Sequence, residues 1–230
     1  MSSSATSSAL DGTSLASDSD RYEVSPVRKI MFALSCVVLA VFVLAPEVFG
    51  NGKTKDYPLW YWVGQQVLQG GDIYRDKGVA FTFLYPPFAA ILLAAPSYFG
   101  KVPLYIFLIL LNSAAWWFAI QLSSRLAGSQ RAPGFWVAVF PSVLTLPFAF
   151  NVFDIGQPNL VLMTMLLAGF YFTDKKREWL AGSLFAAAAA IKAFPIVVLL
   201  YLIARRQWKA SASLIVFLAV FLVLAASSAI

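Results

Sequence analysis

LAGSLFAAAAAIKAFPIVVLLYLIA, residues 180–204, is the stretch on which the fold turns. Its length suits one membrane crossing, yet Lys192 and Pro195 stand in the middle of it. A proline inside a helix removes an N–H and crowds the carbonyl four residues back, so the helix breaks there. An ammonium in hydrocarbon is costly unless it pairs, faces water or reaches the interface. The stretch therefore reads as two short helices, 180–191 and 195–204, folded back at an AIKAFP apex lined by protein or water.

The rest of the chain decides between that reading and a single crossing. Hydrophobic residues make up 60% of the 230 residues and charged residues 12%, a composition no soluble domain of this length could bury. Further apolar runs lie at 30–48, 83–99, 102–124, 134–152, 158–173 and 211–230. With one crossing per run, seven basic residues face the cytoplasm and nine face out, against the positive-inside rule. The run 83–99 is cut short by Pro86, Pro87 and Pro96, and so is expected to lie on the outer surface or dip into it. With that change and the fold-back at Lys192, eleven basic residues face in and five face out.

The expected fold class is thus all-α: a polytopic integral membrane helical bundle with seven helices, 30–48, 102–124, 134–152, 158–173, 180–191, 195–204 and 211–230. Residues 1–27, Ser-rich and acidic at the start, read as a disordered cytoplasmic tail with too little apolar surface to offset ordering. Residues 28–230 form the transmembrane core, with an external loop over 49–101. A signal anchor at 30–48 puts the chain in the cytoplasmic (plasma) membrane as a multi-pass protein with its N-terminus inside.

Composition also limits the chemistry. One cysteine rules out an internal disulfide framework, and the lack of histidine removes the usual neutral-pH base, leaving Asp, Glu, Lys and Tyr. The net charge of +6 sits in short clusters between apolar runs, which orients a membrane chain and argues against nucleic acid as partner. No glycine-rich strand-to-helix turn suggests a nucleotide site.

Three features are expected to share the outer face: the loop after the first span, the FDIGQPN turn at 153–159, and the Lys192 apex. In the loop, Pro58 suits a first helical turn and places Asp56 at the entrance of a helix. Asp56 then reads either as a helix-start residue beside the N-terminal dipole or as a general base held at headgroup level. Leu59, Trp62, Val63, Gln66 and Val67 fall on one helical stripe, as for a helix lying in the interface. Gly70-Gly71 ends that helix, and Asp72 reads as a turn residue. Tyr85, in the stiff YPP entry at 85–87, is an anchor or a headgroup donor. Asp154, Gln157 and Asn159 suit a turn between two spans, and equally offer donors and acceptors to sugar hydroxyls, with Asp154 a possible holder of a metal or a diol. Lys192 has a phosphate as its natural partner.

The segments DYPLWYWVGQQVLQGGDIY (56–74), FLYPPFAAILLAAP (83–96) and DIGQPN (154–159), followed by the Lys192 segment, the basic pair at 205–206 and Trp208, resemble the bacterial polyprenol-phosphate-mannose-dependent α-mannosyltransferases. That resemblance to glycosyltransferase family 87 implies the C-type glycosyltransferase fold, with its seven-helix core module and a catalytic aspartate in the first external loop, here Asp56. It implies transfer of a sugar, usually mannose, from a polyprenyl phosphate donor to a hydroxyl of a glycolipid or glycan on the outer face, with inversion, and with Lys192 close enough to steady the phosphate. No cofactor beyond that lipid-linked donor is implied; the sequence leaves a divalent metal undetermined and fixes no set of metal ligands. Similar proteins continue with more helices, so the chain is expected to be an N-terminal fragment. A transporter or flippase working through the broken helix at Lys192, or an inactive fragment, is the alternative these residues allow.

Overall fold

The computed structural model describes residues 29–30, 32–37, 40–41, 56–74, 82–127 and 135–228, with the backbone alone for 135–144 and 228. The tail, most of the 30–48 run and the loop ends 49–55 and 75–81 lie outside the described residues. Among the described residues every regular element is a helix: α1 (Tyr57–Gln69), α2 (Pro87–Tyr98), α3 (Lys101–Leu126), α4 (Phe135–Ile155), α5 (Asn159–Asp174), α6 (Glu178–Ile191), a 3-10 turn (Phe194–Val197), α7 (Val198–Ala204) and α8 (Trp208–Ser228). The described residues within the 30–48 run are helical as well.

Two of these helices, Lys101–Leu126 and Trp208–Ser227, are long and apolar enough to cross a membrane, and α2, α5 and α6 are shorter apolar helices. The break at 192 is as expected. Helix α6 ends at Ile191, Lys192 is extended at φ −145° and ψ 124°, and the chain re-enters helix through Pro195. Pro195 has no N–H for the Ile191 carbonyl, so the α-helical ladder cannot run through. Helix α4 runs on to Ile155, past the expected 152, and α5 starts at Asn159 with Pro158 in the cap position ahead of it. Helix α8 starts at Trp208, ahead of the expected 211.

Two apolar clusters hold the helices. One joins α1 to α5 and the end of α6 around Tyr57, Trp60, Tyr105 and Phe153; the other joins α6, α7 and α8 around Phe185, Leu202 and Leu214. Small residues set the second. A Cβ on Gly182 would run into the Ala210 carbonyl and Ser213, so α6 and α8 meet nearly backbone to backbone, tied by the Ser213 hydroxyl on the Trp179 carbonyl at 2.7 Å.

The buried face of α1 differs from the expected stripe. Tyr57, Leu59, Trp60, Val63 and Gly64 are buried, while Trp62, Gln66 and Val67 are only partly covered. Gly64 lets α1 close onto Ser97 of α2, and the Tyr57 and Trp60 donors reach carbonyls of α4, which turns the helix toward those partners. The 83–99 run folds as α2, which packs on α1 and also touches α3 and α8.

Helix direction sorts the charges. Helix α5 leads away from residue 159, α6 returns to 191, the 3-10 turn and α7 lead away, and α8 returns. Lys175, Lys176 and Arg177 therefore lie about 20 Å from Lys192, the length of α6. Arg125 and Lys175 both sit over the Tyr171 ring, at 5.9 and 5.7 Å, so the end of α3 shares that basic pole.

Candidate active site at the helix ends

The first turn of α1 is fastened to the end of α4 by three hydrogen bonds. The Asp56 amide donates to the Ile155 carbonyl at 2.9 Å, the Tyr57 hydroxyl to the Phe153 carbonyl at 2.7 Å, and the Trp60 indole to the Gly156 carbonyl at 2.8 Å. Gly156 turns the chain with φ +86°, in the left-handed region that favours glycine. A Cβ there would come within 2.8 Å of the Tyr57 ring. The residue before that fastened turn is Asp56, so the α4–α5 corner fixes where its carboxylate stands.

Asp56 occupies the cap position of α1 but makes no side-chain cap hydrogen bond. Its carboxylate instead accepts from Gln157 and feels the charge of Lys192. The Lys192 ammonium donates to Asn159 Oδ1 at 3.2 Å, and Asn159 Nδ2 donates to Gln157 Oε1 at 2.7 Å. A lysine only donates and a carboxylate only accepts, so both amides can face one way alone: Lys192 to Asn159 to Gln157 to Asp56. This aligned chain joins a cation and an anion from opposite halves of the sequence, each link polarising the next.

Burial pushes the Asp56 carboxyl above its usual range, against the hydrogen bond from Gln157 and the attraction of Lys192, which pull it down. Tyr85 completes the group. Its ring lies 5.4 Å from the Lys192 ammonium and 4.8 Å from the Trp60 ring, and burial, then the Asp56 charge, push its phenol up to about 12. The phenol thus stays protonated and can donate. Phe194 lies on the ammonium at 5.9 Å.

Of the residues singled out from the sequence, Asp56, Gln157, Asn159, Lys192 and Tyr85 come together. Asp154 lies on the last turn of α4, half-buried. Among the described residues no three histidine, cysteine, aspartate or glutamate side chains gather to hold a metal ion. Asp72 accepts from the Tyr74 amide at 2.9 Å, as a turn residue does, and Gly70 caps α1 in the left-handed conformation. Sequence reasoning missed Gly156 and Tyr57 as the parts that seat Asp56, and it missed Asn112. That last signal was legible: LILLNSAAWW, 108–117, holds one amide inside an apolar span.

A profile of glycosyltransferase family 87 matches residues 83–230. The chain belongs to that family. Asp56 and α1 lie ahead of the matched region, so their place beside Gln157, Asn159 and Lys192 comes from the geometry. The family 87 chain is 33% identical to a polyprenol-phosphate-mannose-dependent alpha-(1-2)-phosphatidylinositol pentamannoside mannosyltransferase of Mycobacterium tuberculosis, over 65% of this chain and 35% of that protein. It is 36% identical to the protein of the same description from Mycolicibacterium smegmatis, over 61% of this chain and 34% of the relative. A third relative, the M. smegmatis alpha-(1-2)-phosphatidylinositol mannoside mannosyltransferase, is 30% identical over 66% of this chain and 39% of its own length. The chain thus spans little more than a third of the curated relatives it matches. No solved structure matches it.

Proposed function

We propose that this chain carries the catalytic core of a membrane mannosyltransferase that moves mannose from a polyprenyl phosphate to a hydroxyl of a phosphatidylinositol mannoside-like acceptor. The observation that carries the reading is the oriented amide chain from Lys192 to Asp56, which holds a cation and a raised-pKa carboxylate at one pole of the bundle. Family membership and the names of the relatives supply the reaction class and the lipid-linked donor.

In this reading the acceptor hydroxyl attacks the anomeric carbon of mannose from the face opposite the phosphate. The new C–O bond forms as the bond to the phosphate oxygen breaks, its electron pair leaves with the prenyl phosphate, and the hydroxyl proton passes to Asp56. In-line displacement inverts the anomeric carbon. Lys192 meets the charge that grows on the leaving phosphate. The start of α5 adds to this, since that helix has no side-chain cap and its first amides, which lack intrahelical acceptors, are available to the leaving phosphate. Tyr85 offers its protonated hydroxyl to the same group. Burial serves the base as well: a carboxylate whose pKa lies above the ordinary range takes a proton more readily at working pH.

The basic pole formed by Arg125, Lys175, Lys176, Arg177, Arg205 and Arg206 faces the cytoplasm by the positive-inside rule, which turns the Asp56 pole outward. The seven-helix module, with the 30–48 span as its first member, belongs to this proposal.

The test uses membranes containing the expressed protein, labelled prenyl-phosphate mannose and a phosphatidylinositol mannoside acceptor. Asp56→Asn is expected to lose about 10²–10⁴-fold in transfer, the usual share of a general base, while still binding donor. Wild-type transfer by that variant would remove Asp56 as the base.

A further inference from the structure

Beneath the amide chain lies a cavity of about 230 Å³. Trp60, Tyr85, Gly156 and Pro158 line it on the side of the cluster, and the buried Leu108 and the exposed Phe107 line it along α3. It is smaller than the roughly 300 Å³ at which pockets for drug-sized ligands begin. A single ring-sized group fits there, and a whole glycolipid does not.

Asn112 lines the same cavity from the middle of α3. It is 2% exposed, its Nδ2 donates to the Leu108 carbonyl at 3.1 Å, and among the described residues its Oδ1 has no hydrogen-bond partner. A buried acceptor without a donor is costly, and such an orphan calls for a partner that the bare protein lacks. A purely hydrocarbon occupant brings no O–H or N–H and would leave Oδ1 as it is. A hexose meets both walls. Its C–H faces pack on aromatic rings, here the edge-to-face pair of Trp60 and Tyr85 at 4.8 Å, while a hydroxyl at its edge reaches the amide.

We propose that this cavity seats the hexose of the donor and that Asn112 Oδ1 accepts a hydrogen bond from one sugar hydroxyl, making Asn112 a specificity-determining residue. The inference rests on the transferase reading above. The cavity borders Tyr85, which lies against Lys192, so a ring seated in it keeps its anomeric carbon at the mouth, beside the phosphate held by Lys192.

The test pairs binding with transfer, using farnesyl-phosphate mannose, its monodeoxy analogues and plain farnesyl phosphate as probes. Binding is measured on detergent-purified Asp56→Asn protein, so that turnover does not enter. Asn112→Leu removes the amide at similar volume and is expected to hold its melting temperature; Asn112→Ser serves as a second, smaller variant. With Asn112 intact, one monodeoxy analogue binds about tenfold more weakly than the parent, a difference of about 1.4 kcal/mol. With Asn112→Leu, parent and analogue bind alike, and farnesyl phosphate is unaffected. If Asn112→Leu tightens all three probes equally or changes none, the cavity holds hydrocarbon and the inference is overturned. The expected Asn112 dependence in binding, with no transfer by the wild-type protein, would keep the sugar seat and sink the transferase reading. Binding of neither mannosyl nor plain probe sinks both.

Discussion

Gly156→Ala should damage this protein twice, once in the backbone and once in the position of Asp56. At φ +86° an alanine is strained by about 1–2 kcal/mol, because its Cβ crowds the following carbonyl. The new methyl would also stand 2.8 Å from Tyr57 Cε2 and 3.0 Å from Cζ, and the ring cannot step aside, being fully buried and packed 5.0 Å from the Tyr105 ring. Relief requires the first turn of α1 to lift, loosening at least one of its three hydrogen bonds to the 153–156 segment, each worth about 0.5–1.5 kcal/mol. The sum is about 1.5–3.5 kcal/mol, and a shift of Asp56 by even ~1 Å can cost about 100-fold in rate. Gly70→Ala is the control, since Gly70 also has positive φ, +66°, but nothing stands within 4 Å of its Cβ. Thermal unfolding in detergent and initial transfer rates in membranes would be compared for the two variants. Gly156→Ala should melt lower and transfer far more slowly, while Gly70→Ala shows only the backbone strain and keeps its rate. Equal melting temperatures and equal rates for the pair would refute the idea that this corner seats Asp56.

Other consequences can be checked with the same preparations. Burial raises the Asp56 pKa in the folded state above its unfolded value, so its stabilising contribution is present below pH 3.8 and is lost as pH rises through the folded pKa. Asp56→Asn should therefore melt higher than wild type at pH 7, with the gap closing as pH falls toward 3.8, and a gap independent of pH would contradict the burial argument. The wild-type rate of transfer should rise with pH through that same raised pKa, measured as kcat/KM. Lys192→Gln keeps a donor for Asn159 but loses the charge, so binding of farnesyl phosphate should weaken about tenfold or more and lose its salt dependence. Tyr85→Phe keeps a ring over the ammonium and Tyr85→Leu does not, so donor affinity should fall more for leucine, by about 0.5–2 kcal/mol beyond phenylalanine, in a binding titration.

Several parts of this architecture were legible in the chain because local stereochemistry decides them. The missing N–H of Pro195 ends a helix whatever surrounds it, Gly70 accepts a left-handed cap that other residues resist, and an ammonium among alanines must find a polar partner. Counting basic residues along the apolar runs brought Asp56, the GQPN turn and Lys192 to one expected face, and in the structure those groups touch.

Tertiary structure alone decided which side of α1 is buried, since helical period marks a stripe but cannot say that Gly64 meets Ser97 or that two aromatic donors reach the carbonyls of α4. It alone joined Gln157 and Asn159 into an oriented bridge, and left the Oδ1 of Asn112, among the described residues, without a partner beside an open cavity. Backbone preferences are carried by a residue and its nearest neighbours; burial and hydrogen-bond partners are properties of surfaces that meet only once the helices have packed.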